Sequence, residues 1–86
     1  MQSIQTVLAD DHAVVRAGIR RTIEEIPHLH VIAEVGSGPL VFNCLENHTV
    51  DLLLIDVSMP DFDPIHAIKE IKVLYPNLIY PDCEVE

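Results

Sequence analysis

Three carboxylates carry the chemistry this sequence is equipped for. Asp56 ends the apolar run Leu52-Leu53-Leu54-Ile55, and Asp10 and Asp11 end the run Thr6-Val7-Leu8-Ala9. A short apolar run closed by turn signals suits a strand covered on both faces, as in a parallel sheet. In open α/β sheets, ligand sites form outside the carboxyl ends of such strands. If the two strands are parallel neighbours, all three acids meet at one edge. Close carboxylates repel one another unless a cation or hydrogen bonds compensate. A hard divalent cation, Mg²⁺ above all, answers that arrangement, because it takes oxygen ligands and keeps several waters.

The elements that must position these acids alternate along the chain. Ile4 to Ala9 reads as a first strand, being rich in β-branched and aliphatic residues. A helix follows from about Ala13 to Ile26, with Val15, Ile19, Thr22, Ile23 and Ile26 as its inner stripe. Arg16, Arg20 and Arg21 read as its solvated face, with contact to a partner as the alternative, and Pro27 stops it. Val31 to Val35 is a second strand. Gly36-Ser37-Gly38-Pro39 is a turn, opening a second helix that ends near His48 and turns Leu40, Val41, Cys44 and Leu45 inward. Asp51 to Ile55 is the third strand.

Asp63 is placed to cap a third helix with Pro64 in its first position. Ile65, Ile68, Ile71, Leu74 and Tyr75 supply its inner stripe, and Pro76 ends it. Leu78-Ile79-Tyr80 starts a short fourth strand, interrupted by Pro81. The order βαβαβα predicts a doubly wound parallel sheet with right-handed connections. A reversal of direction between the first and third strands would open a crevice for Asp10, Asp11 and Asp56.

Composition narrows the class. Of 86 residues, 49% are hydrophobic and 22% charged, which fits one small folded domain. No apolar run approaches the roughly 20 residues needed to span a bilayer, and no basic segment leads into a signal-like core. A cytoplasmic location and no membrane contact are expected. The formal net charge of −9 argues against nucleic-acid binding by this piece. Two cysteines, Cys44 and Cys83, are too few for a disulfide framework, so Cys44 reads as a small buried hydrophobe. His12 reads first as a solvent-facing residue of the first helical turn and second as a member of a metal site, and His28, His30, His48 and His66 show no ligand spacing.

Two separated motifs carry a family resemblance. Thr6-Val7-Leu8-Ala9-Asp10-Asp11-His12 with Val15-Arg16-Ala17-Gly18, and Leu54-Ile55-Asp56-Val57-Ser58-Met59-Pro60, resemble the receiver domain of a two-component response regulator. The Asp-Asp-His opening is most similar to the subfamily with a LuxR-type helix-turn-helix output. The resemblance runs from Ile4 to about Tyr80 and implies the flavodoxin-like receiver fold, here incomplete, with strand order 2-1-3. It implies that Asp56 accepts a phosphoryl group from a sensor histidine kinase or phosphotransfer protein. It also implies Mg²⁺ at Asp10, Asp11, Asp56 and the Ser58 backbone carbonyl.

The pattern departs from that family at Pro64, where glycine is usual but a first-turn proline is compatible with a helix start, and above all in its length. A full receiver continues through a fourth helix, a fifth strand and a fifth helix, carrying a hydroxyl residue and a lysine that hold the phosphoryl oxygens. Lys69 and Lys72 lie on the third helix and do not match that lysine. Residues 1–80 therefore read as a receiver-like domain truncated after the third helix, and residues 81–86 as an acidic tail. Apolar surface left bare by the missing elements would favour a homodimer or larger assembly. Three functions are compatible with these residues. The first is a phosphorelay receiver, not an enzyme. The second is a phosphorylation-incompetent module that pairs with itself or a full-length regulator. The third, a small metal-dependent phosphatase or hydrolase, ranks last, since no visible basic or hydroxyl group is placed to hold a phosphoryl oxygen.

Overall fold

The computed structural model describes residues 3–56, 59 and 63–79. Strands β1 (Ile4–Ala9), β2 (Leu29–Val35) and β3 (Leu52–Ile55) alternate with helices α1 (Ala13–Glu24), α2 (Gly38–Asn47) and α3 (Pro64–Leu74). The strands form one parallel sheet in the order β2-β1-β3, as expected. Central β1 is therefore hydrogen-bonded on both sides, and its Thr6-Val7-Leu8-Ala9 segment is fully buried. Ile79 pairs in parallel with Leu52 as an isolated bridge, the short continuation expected from Leu78-Ile79-Tyr80. Tyr80 and the expected tail, residues 81–86, lie outside the described residues.

The two-residue alternation of a strand divides the core between the faces of the sheet. Val7 and Ala9 of β1 and Leu53 of β3 point to the α2/α3 face. There they join Val41, Cys44 and Leu45 of α2, Ile71 of α3, and Met59 and Leu78. Cys44 is buried as expected, and burial pushes its thiol pKa up. Leu8 and Leu54 alternate to the opposite face, where they line a cleft with Val15 and Ile19 of α1. β2 accommodates one extra residue opposite β1: Thr6 pairs with Val31, but Val7 pairs with Ala33, skipping Ile32. Such a bulge is at home on an edge strand.

Local chemistry explains the helix ends. Asp63 caps α3 as expected, its carboxylate accepting from the Ile65 and His66 N–H groups, with Pro64 following. α1 ends two residues before the expected Ile26. β2 begins two residues before the expected Val31. Between them His28 sits at φ 74°, a left-handed conformation that few non-glycine residues adopt. That turn sends the chain back early enough for Leu29 and His30 to pair with Ile4 and Gln5.

Helical stripes are narrower than periodicity implied. On α1 only Ile23 is buried, while Val15, Ile19, Thr22 and Ile26 remain at least partly exposed. Leu40 of α2 and Ile65 and Leu74 of α3, expected inside, are exposed. Among the described side chains of α3, Ala67 and Ile71 are buried. Spacing identifies the apolar side of a helix but not how much of it a neighbour covers.

Candidate functional site

The sheet delivers the acids to one place. Ala9 and Ile55 are register partners on β1 and β3, so the residues that follow them emerge side by side. Backbone bonds extend the ladder into the site. The Asp56 N–H donates to the Ala9 carbonyl (2.8 Å), and the Asp10 N–H donates to the Val35 carbonyl (3.0 Å). Asp10, Asp11 and Asp56 thus converge where the strand order reverses, together with His12. These four side chains each present one ligand atom within 4.8 Å of the others. Ser58, expected to contribute a carbonyl, lies outside the described residues.

Burial is graded across the cluster. The Asp10 side chain is 10% exposed, Asp56 23% and Asp11 26%, against 59% for His12. Three partly buried carboxylates with access to solvent form a hard-oxygen donor set, which suits Mg²⁺ with retained waters. The residues therefore fit the cation that the sequence pattern implies.

Two residues that sequence reasoning left on the surface belong to this site. His12 is the N-cap of α1, and its N–H donates to Asp10 Oδ1 (2.8 Å). Its ring turns inward: Nδ1 lies 2.9 Å from Asp11 Oδ1, 3.0 Å from Asp10 Oδ1 and 3.5 Å from Asp56 Oδ2. The hydrogen bond with Asp10, then the charge of Asp11, holds the imidazole pKa above its ordinary value. Arg16 is the second. Its Nη1 donates to the Asp10 carbonyl (2.7 Å) and its Nε to Glu34 Oε1 (3.0 Å), tying the site loop to β2. Arg20 also binds Glu34. Burial pushes the Glu34 pKa up, but the hydrogen bonds from Arg20 and Arg16 outweigh it and hold the carboxyl below its ordinary value. The expectation of a solvated arginine face is thus corrected for Arg16 and Arg20. Adjacency of His12 to the acid pair was a signal available in the sequence. Nothing local pointed to Glu34.

Fold and pocket together define a class: a doubly wound α/β domain with an acidic cluster at the switch point of its sheet. The chain belongs to the response regulator receiver domain family, which it matches over residues 6–80. It is 38% identical over 68 residues to response regulator UvrY of Escherichia coli, covering 79% of this chain and 31% of that protein. It is 36% identical over 75 residues to protein-glutamate methylesterase/protein-glutamine glutaminase 1 of Rhodospirillum rubrum, covering 87% of this chain and 19% of that enzyme. Among solved structures it resembles the isolated REC domain of RcsB from Salmonella enterica serovar Typhimurium, determined with phosphomimetic BeF3⁻. That likeness has a TM-score of 0.86 and 33% identity over 92% of this chain and 59% of the other. A longer RcsB response regulator chain from Salmonella typhimurium gives 0.86 and 34% over 93% of this chain and 42% of its own. The chain spans less than a third of the length of both named sequence relatives. Among the described residues, no helix is long and apolar enough to cross a membrane.

Proposed function

We propose that this chain receives a phosphoryl group in a two-component relay, with Asp56 as the acceptor. One observation carries the reading: carboxylates from the ends of two adjacent strands gather at the switch point of the sheet. Asp56 supplies the nucleophile. A carboxylate oxygen forms a bond to the phosphorus of a phosphohistidine on the partner kinase or phosphotransfer protein. The P–N bond breaks, its electron pair returns to the imidazole, and the imidazole takes up a proton from solvent. Asp10, Asp11 and Asp56, with the Ser58 carbonyl, would hold Mg²⁺, which supplies positive charge beside the phosphoryl oxygens. Ala9 positions Asp56 through the backbone bond, and the Arg16 guanidinium positions the Asp10 loop. The reading is of a signalling domain in the cytoplasm rather than an enzyme with its own turnover. Its net charge of −9 argues against nucleic-acid binding by this piece.

The test is intact-protein mass after incubation with Mg²⁺ and acetyl phosphate, beside Asp56→Asn. One phosphoryl adduct on the wild type alone is the expected result. No adduct on either protein would overturn the proposal and leave the phosphorylation-incompetent interaction module in its place. One observation favours that second reading. Val15 and Ile19 stay partly exposed beside Leu8, Leu54 and Ile55, an apolar cleft that the α1 face of a second copy would cover. Homodimerisation through this face predicts concentration-dependent sedimentation that Ile19→Asp abolishes.

A further inference from the structure

Resting on the reading of Asp10, Asp11 and Asp56 as a cation site, the geometry adds a residue to it. The His12 backbone is held on both sides. Its N–H donates to Asp10 Oδ1 (2.8 Å), and its carbonyl accepts the first helical bond of α1 from the Arg16 N–H (2.9 Å). Only side-chain rotation is left to place the ring, and it places Nδ1 among the carboxylates. Neighbouring ligand atoms on a cation with bonds of about 2.1 Å stand about 3 Å apart. Nδ1 stands at that spacing from Asp11 Oδ1 (2.9 Å) and Asp10 Oδ1 (3.0 Å), and 3.5 Å from Asp56 Oδ2.

We infer that His12 Nδ1 is a ligand of the cation site, converting an all-oxygen set into three carboxylates and one imidazole. In the metal-free site Nδ1–H donates to Asp10. On cation binding that proton leaves Nδ1, the ring's remaining proton stands on Nε2, which the more than half exposed side chain offers to water, and the Nδ1 lone pair takes the cation. The chemical consequence is selectivity. Mg²⁺ dehydrates reluctantly and prefers oxygen, and gains little from the nitrogen. Imidazole suits nickel, zinc and other first-row transition ions. This pocket therefore favours Co²⁺ and Ni²⁺ over Mg²⁺ by a margin set by His12, beyond the general rise of affinity along that row.

A competing arrangement has the same distances. His12 as an imidazolium would be an internal counter-ion that any entering cation must displace, and its removal would tighten every cation alike. Calorimetric titration of the whole chain with Mg²⁺, Co²⁺ and Ni²⁺ separately, for wild type, His12→Gln and Asp11→Asn, separates the two. Loss of groups that merely orient a ligand weakens metal binding about 10–100-fold, so loss of the ligand itself is expected to weaken Ni²⁺ and Co²⁺ by at least about tenfold. Mg²⁺ should shift by less than about twofold, since its site keeps carboxylates and waters. The Co²⁺ visible spectrum should change in His12→Gln, a signature that a purely structural role would leave alone. Equal shifts for all three ions, or tighter binding, would overturn the ligand assignment while leaving the carboxylate site standing. Binding that ignores Asp11→Asn, or no binding at all, would overturn the underlying site as well.

Discussion

Arg16→Met tests the link between the acidic site and the sheet edge. The guanidinium makes two contacts that a methionine of similar length cannot. It donates to the Asp10 carbonyl at 2.7 Å and to Glu34 at 3.0 Å. A hydrogen bond from a charged donor is worth about 1.5–3 kcal/mol when dry. Here the side chain is 24% exposed, so water replaces part of it, and about 1 kcal/mol is the realistic share. The ion pair with Glu34, also about a quarter exposed, adds about 0.5–1 kcal/mol. The sum, about 1.5–2 kcal/mol, corresponds to a fall of about 6–16 °C in Tm for a domain of this size. Arg16→Lys should recover less than half, because an ammonium cannot fork to two acceptors on different elements. Thermal and urea unfolding followed by circular dichroism would measure the loss. A double-mutant cycle with Glu34→Gln should return a coupling of about 0.5–1 kcal/mol. Because the lost bond ends on the Asp10 carbonyl, Mg²⁺ affinity should fall in the same variant. A loss below about 0.5 kcal/mol, the range of ordinary surface changes, would refute the reasoning.

Other perturbations follow from the same geometry. Asp63→Ala removes the α3 cap and should cost about 1 kcal/mol in urea unfolding, with Asp63→Asn retaining most of it. Glu34 is held below its ordinary pKa of 4.5, so its stabilisation is complete above that pH and disappears as pH falls through the lowered folded value. Melting curves of wild type and Glu34→Gln should accordingly differ at neutral pH and converge under acid; a constant gap would contradict the shift. Leu53→Ala empties a fully buried position on β3 and should cost about 2–5 kcal/mol, a large part of the stability of a small domain.

What was readable in the chain was local. Leu52 to Ile55 before Asp56, Thr6 to Ala9 before Asp10, and Asp63-Pro64 are contiguous signals, and each lies in the structure as its chemistry implied. The length of each crossover pointed to a parallel sheet with right-handed connections, whereas the strand order came from the family resemblance. Contacts between distant residues were not readable. The Arg16–Glu34 and Arg20–Glu34 pairs join α1 to β2, and no spacing rule within α1 points to an acid on another element. Val15, Ile19, Leu40, Ile65 and Leu74 were placed inside by periodicity and are exposed, because periodicity cannot count neighbours. His28 in the left-handed region was equally invisible, since glycine or asparagine is the usual sign of such a turn.

The backbone bonds from Asp10 to Val35 and from Asp56 to Ala9 have a consequence for time as well as for place. Two of the acids are the next rungs of the sheet rather than decorations on loops packed later. Strands β1 and β3 are separated by more than 40 residues, so their pairing waits on the closure of a long chain segment. Until that closure, Asp10 and Asp56 are independent carboxylates. Once it occurs, they are neighbours with no further rearrangement. In pulse-labelled hydrogen exchange during refolding, the Asp56 amide should gain protection together with those of β3, and cation binding should appear in the same kinetic phase. Assembly of the pocket and closure of the sheet are then a single cooperative event.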